Sequence, residues 1–146
     1  MLSKICRKVK ELGIKIDYIE MEDNGHFGIF NDLPVILINQ NLDKLDISLT
    51  ILHETAHFLN GDCDKYITNH FQNDNLEYEA NKYMIQEVMK MLDQKYDFTR
   101  DTNYQQIIDM LGLPCHLHGV VFDEFNDIIS DKFGVIPSCE SDYFYE

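Results

Sequence analysis

Ile47-Ser48-Leu49-Thr50-Ile51-Leu52-His53-Glu54-Thr55-Ala56-His57-Phe58-Leu59 decides how this chain is read. Its apolar spacing predicts a helix, with Asp46 or Ser48 as the cap and Asn60-Gly61 as the stop. Inside it lies His-Glu-x-x-His. On a helix, residues four apart differ by about 40° of rotation, so His53 and His57 share one face. Two imidazoles so placed can both reach one Zn²⁺ at about 2.0–2.1 Å. Glu54, next to the first of them, can take a proton from a metal-bound water. With 6 His and 10 Glu in 146 residues, chance produces this pattern in roughly 2% of such chains, by simple frequency arithmetic. The helical setting lowers that figure further.

A catalytic zinc takes a third protein ligand and leaves one position to water. Downstream, Leu76-Glu77-Tyr78-Glu79-Ala80-Asn81-Lys82-Tyr83-Met84 opens a second long helix, expected from Asp74 or Asn75 to about Lys95. Its apolar stripe is Leu76, Ala80, Tyr83, Met84, Val88 and Met91. Glu77 lies about 50° from the centre of that stripe and Glu79 about 110°, at 100° per residue. Glu77 is therefore the inward carboxylate and the third metal-ligand candidate, with Glu79 as runner-up. First-turn acids also favour the helix dipole with no metal at all. Asn81, one turn after Glu77, is placed to orient a ligand by hydrogen bonding.

Upstream, Leu2–Leu12 has helical spacing and ends at Gly13. Ile14–Glu20 alternates as a strand, and Glu22-Asp23-Asn24-Gly25 reads as the turn of a hairpin to His26–Phe30. Asn31-Asp32-Leu33-Pro34 is a further turn, leading to the continuously apolar Val35-Ile36-Leu37-Ile38, the best-buried strand expected. Asp62–Asn75 is polar and reads as a functional loop. Beyond Asp97, Thr102 is expected to cap a helix ending at Gly112, and a last helix covers Leu117–Phe133. Strands followed by helices make an α+β chain, divided as a core at 1–97 and a helical C-terminal extension at 98–146.

These elements resemble the ImmA/IrrE metallo-endopeptidases. The resemblance spans Gly28–Met91: Val35-Ile36-Leu37-Ile38-Asn39 followed by Leu42, then His53-Glu54-Thr55-Ala56-His57, then Glu77-Tyr78-Glu79-Ala80-Asn81-Lys82-Tyr83. It implies a small zincin-like α+β fold, with a three-stranded sheet packed on the His-Glu-x-x-His helix and a second ligand-bearing helix. It also implies Zn²⁺ held by two His and one Glu, and endopeptidase activity. In prophages and mobile elements such proteins inactivate a partner helix-turn-helix repressor, typically by cutting it. Glu87-Val88-Met89-Lys90 departs from the family's proline-closed helix end, so here the helix can run on. A non-catalytic anti-repressor that sequesters its partner around a structural zinc is the alternative. Glu54, which is no ligand, argues for catalysis.

The balance of 12 basic against 26 acidic residues, net −14, repels phosphate backbones and anionic membranes, so no direct nucleic-acid partner is expected. The same charge suits an encounter with the basic face of a DNA-binding protein. No apolar run approaches the ~20 residues of a membrane span, and the start lacks the apolar core of a signal peptide. Cys6, Cys63, Cys115 and Cys139 have no Cys-x-x-Cys spacing, so a reducing cytoplasm is expected. Cys63, His116, His118, His26 and His70 carry no strong signal. The aromatic acidic end, Cys139–Glu146, reads as a frayed tail.

Overall fold

Mixed pairing organises the amino-terminal part of the chain. The structure is a computed structural model that describes residues 1–61 and 70–134. Helix α1 (Leu2–Glu11) is followed by strands β1 (Lys15–Ile19), β2 (Gly25–Phe30) and β3 (Leu33–Asn39). Then come α2 (Lys44–Leu59), α3 (His70–Tyr96), α4 (Tyr104–Leu111), a 3₁₀ turn at Cys115–Leu117, and α5 (His118–Phe133). The chain is α+β and mostly helical, consistent with a small zincin-like domain. It divides into two compact units, one of residues Met1–Val88 and one from Met89 onward.

In the first unit the sheet order is β1-β3-β2. The apolar run Val35–Ile38 becomes the central strand, with Ile36 and Ile38 fully buried. β1 pairs with it in parallel, Ile16 opposite Ile36, and β2 pairs with it antiparallel, Phe27 opposite Ile36. The expected β1–β2 hairpin at Asn24-Gly25 is not formed. The hairpin joins β2 to β3, through Asn31-Asp32 with Phe30 opposite Leu33. Both turn residues have positive φ, 53° and 64°, the conformation that a two-residue hairpin turn of the twist-matched type demands and that Asn and Asp tolerate. The link 20–24 instead carries the chain past β3 to the far edge of the sheet, where the Asn24 carbonyl accepts a hydrogen bond from Asn39 N. Pro34 sits one residue before β1 joins β3, so its missing N–H costs that pairing nothing.

α2 packs on β2 and β3, and α1 packs on β1 and against α2. α1 buries Ile5 and Val9 on the face its spacing predicts, and Gly13, with φ +83°, follows its last turn. α2 begins earlier than Asp46 or Ser48. Asp43 is the cap, its carboxylate accepting from Asp46 N at 2.8 Å, while the Ser48 hydroxyl donates back to Lys44 O. Three residues of propensity ahead of the apolar run were enough to extend the helix once a side chain satisfied its first N–H groups. Leu49, Ile51, Leu52 and Ala56 form its buried face. α3 starts at His70, earlier than Asp74 or Asn75, and runs to Tyr96. With no proline after Val88, nothing removes a backbone donor at that point.

In the second unit α4 is capped by Asn103, whose side chain accepts from Gln105 N and Gln106 N; the Thr102 hydroxyl accepts from Thr99 N instead. Asn beats Thr at such a position because its carbonyl reaches two donors. Phe98, Leu111, Val121 and Phe125 fill this core. Lys132, on α5, binds Asp93, Asp97 and the carbonyl of Phe98, and Arg100 donates to the carbonyls of Phe133 and Gly134. No helix among the described residues is long and apolar enough to cross a membrane. Cys6 and Cys115 are free thiols. Cys63, the 62–69 part of the expected loop and the tail from Cys139 lie outside the described residues.

Candidate metal centre

The two middle residues of the motif explain its orientation. Thr55 and Ala56 are each only 1% exposed, on the side of α2 turned to the core, and the Thr55 hydroxyl is satisfied by Ile51 O at 2.7 Å. That fixes the helix rotation and leaves His53, Glu54 and His57 on the opposite side. The two imidazoles meet edge to face, with ring centroids 4.9 Å apart and planes 80° to each other.

α3 supplies the carboxylate. Ala80, Met84, Ile85 and Val88 are buried along it, and Glu77 lies on the line of that stripe, one turn ahead of Ala80, with its side chain half-buried. One oxygen of Glu77 lies 3.1 Å from His53 Nε2 and the other 2.9 Å from His57 Nε2. Ligand atoms of His53, His57 and Glu77 all lie within 4.8 Å of one another. A tetrahedral zinc with bonds near 2.0–2.1 Å needs donors about 3.3–3.4 Å apart. The Glu77 contacts are therefore a few tenths of an ångström short of that spacing, and the donor set fits a metal ion with small side-chain movement. Glu79 is exposed, and Asn81 is half-buried one turn after Glu77.

Glu54 is not part of this trio. Its nearer oxygen is 4.0 Å from His53 Nε2, and the side chain is 12% exposed. Burial pushes its carboxyl above the ordinary range, against the pull of His53 and His57; Glu77 adds to the rise and His26 opposes it. A carboxylate made more basic by burial is better suited than a solvated one to taking up a proton.

The edge strand runs beside Glu54. Thr50, Glu54 and Phe58 fall four residues apart, on one stripe of α2. A methyl group on Gly25 would meet Thr50 Cγ2 at 2.5 Å, and the Phe27 ring meets the Phe58 ring edge-on at 5.7 Å. β2 therefore runs along the stripe, past Glu54. This proximity brings His26 into the electrostatics of the site, which its isolation in the sequence gave no means to foresee; it is exposed on β2. His118 is accounted for within the second unit, donating from Nε2 to Leu113 O at 3.0 Å, and His116 is exposed. The side chain of His70 is outside the described residues.

No curated protein and no solved structure matches the chain. The peptidase family M78, described as the IrrE N-terminal-like domain, matches residues 9–105, about two thirds of the chain and the whole of the His-His-Glu group. With a metallopeptidase family's sequence and a donor group that could bind its metal, this chain belongs to the M78 peptidase family of IrrE N-terminal-like domains.

Proposed function

We propose that the protein is a zinc-dependent endopeptidase that inactivates a helix-turn-helix repressor by cleavage in the cytoplasm. The observation that carries this reading is the convergence of both imidazole Nε2 atoms on the Glu77 carboxylate while Glu54 stands apart at 4.0 Å. His53, His57 and Glu77 would hold the zinc, with Asn81 positioned to steady Glu77. Glu79, exposed, is left out of the set. When bound, the zinc supplies Lewis acidity towards water and towards the scissile carbonyl. Glu54 accepts the proton of the attacking water and delivers it to the departing amine nitrogen. Its burial, with the side chain 12% exposed, keeps bulk water from levelling its basicity.

The peptide itself needs an extended seat. β2 ends the sheet, and its outer edge is unpaired among the described residues. A substrate strand added there passes beside Glu54. We place the catalytic core at residues 1–97 and read 98–146 as a C-terminal extension of it. The net charge of −14 favours a basic partner such as a DNA-binding protein and disfavours nucleic acid itself. The repressor comes from the likeness to ImmA/IrrE proteins of phages and mobile elements.

The test is Glu54→Gln, incubated with the helix-turn-helix repressor encoded nearest the gene and read by intact-protein mass spectrometry. Wild type should yield two repressor fragments. The variant should leave the repressor whole while binding as much zinc as wild type. A variant that relieves repression as fully as wild type would replace the peptidase with an anti-repressor binding module around a structural zinc.

A further inference from the structure

The two edges of the sheet are built differently. β1, Lys15-Ile16-Asp17-Tyr18-Ile19, carries an ion pair between Lys15 and Asp17 at 3.5 Å, and charge on an edge strand deters pairing with another chain. β2, Gly25-His26-Phe27-Gly28-Ile29-Phe30, carries no Asp, Glu, Lys or Arg, in a chain where 26% of residues are charged. Past Glu54 this strand ends in apolar residues that flank the Asn31-Asp32 turn. Ile29 is 47% exposed, Phe30 50% and Leu33 61%. Ile29 pairs with Pro34 and Phe30 with Leu33, so both faces of the hairpin are apolar at that end. The Phe30 ring folds back along the strand: a methyl group on Gly28 would meet its edge at 3.0 Å. Gly28 thus leaves a seat for the ring, on the face of β2 opposite to the one that Gly25 and Phe27 turn to α2.

We infer that Ile29 and Phe30 form the specificity surface of this site and take the apolar side chains of an extended substrate segment on the N-terminal side of the cut bond. The inference rests on the peptidase reading and names the class of sequence it selects. The direction follows from pairing. An antiparallel strand on β2 is the slightly more stable arrangement, and it runs from the hairpin tip towards Gly25. The substrate residues opposite Ile29 and Phe30 then stand about two to four places before the residue beside Glu54, given one residue per 3.3–3.4 Å. Cross-strand neighbours on one face make the contact. The occupant is an apolar β-forming stretch, and the chain's net charge of −14 favours lysine or arginine flanking it.

Two acetylated, amidated decapeptides test this, alike in their lysines and C-terminal halves. One carries Val-Val-Val in its N-terminal half and the other Ser-Ser-Ser. Binding is measured to zinc-loaded Glu54→Gln protein, so that nothing is cut, with amide hydrogen exchange to locate the contact. The valine peptide should slow exchange in residues 25–30, and adding Phe30→Ser should weaken its binding about tenfold, the effect of losing one aromatic contact surface. The serine peptide should bind weakly and equally to both proteins. Equal binding of the two peptides, protection elsewhere, or no loss with Phe30→Ser overturns the inference. Zinc-loaded wild type should cut the valine peptide after its apolar block. Binding at β2 without any cut supports the hairpin surface and counts against the peptidase reading, so the two failures are distinguishable.

Discussion

Gly25→Ala should loosen the seat of the edge strand beside Glu54 by an amount that the geometry sets. The added methyl carbon would lie 2.5 Å from Thr50 Cγ2, 2.9 Å from the Leu37 carbonyl oxygen and 3.3 Å from Ile38 Cδ1. Ordinary carbon–carbon contact is about 3.5–4.0 Å, so β2 and α2 must part by about 1 Å. Overpacking of this kind costs about 1–3 kcal/mol. Alanine returns about 0.4–1 kcal/mol by restricting the unfolded chain, leaving a net loss of about 1–2 kcal/mol. Thr50→Ser removes the clashing methyl and by itself costs about 1 kcal/mol. Combined, the two should cost about 1 kcal/mol less than their sum, because the 2.5 Å contact no longer exists. Urea unfolding of the four metal-free proteins reads that coupling. Metal content should be unchanged, since the donors come from α2 and α3, whereas cleavage should fall by up to about 10²-fold if the 1 Å shift reaches the substrate. A Gly25→Ala protein within 0.5 kcal/mol of wild type, on the order of measurement scatter for a surface change, or strictly additive variants, would refute the packing of β2 on Thr50.

Two further expectations concern α2. Asp43→Ala should cost about 1 kcal/mol through loss of the cap, and Ser48→Ala clearly less, because Ser48 bonds within a formed turn; the reverse order in urea unfolding would return the cap to Ser48. Glu54→Gln should stabilise the metal-free protein at neutral pH. The folded-state carboxyl titrates above the unfolded one, so the contribution of Glu54 to stability is fully present below about pH 4.3 and is lost as pH rises through the folded value. The advantage of the variant should therefore be smallest at pH 4 and grow towards pH 8. A difference that does not change with pH would mean that burial does not hold this carboxyl up.

The sequence carried what depends on local spacing and little of what depends on distant pairing. His53, Glu54 and His57 were legible because three residues on one turn leave a pattern that chance seldom makes. β3 was legible because its central run, Val35–Ile38, is apolar at every position, as a well-buried strand is. Strand order was not: Asn24-Gly25 looks like a hairpin turn, but this glycine is required by contact with Thr50, 25 places on, and no local pattern announces that. The true hairpin turn, Asn31-Asp32, was recognisable as a turn, yet only the sheet shows which strands it joins. The caps failed by a smaller margin, Asp43 for Asp46 or Ser48 and Asn103 for Thr102, because several side chains of similar capping power compete within one turn. His26 could not be assigned to the neighbourhood of Glu54 until β2 was laid along α2.

Elemental analysis of zinc per chain, on wild type, Glu77→Ala and Glu79→Ala purified alike and resupplied with zinc, bears most directly on the central claim. One zinc per chain in wild type and Glu79→Ala, with loss in Glu77→Ala, is the result this account predicts. Zinc retained by Glu77→Ala and lost from Glu79→Ala, or no zinc in any of the three, would contradict it.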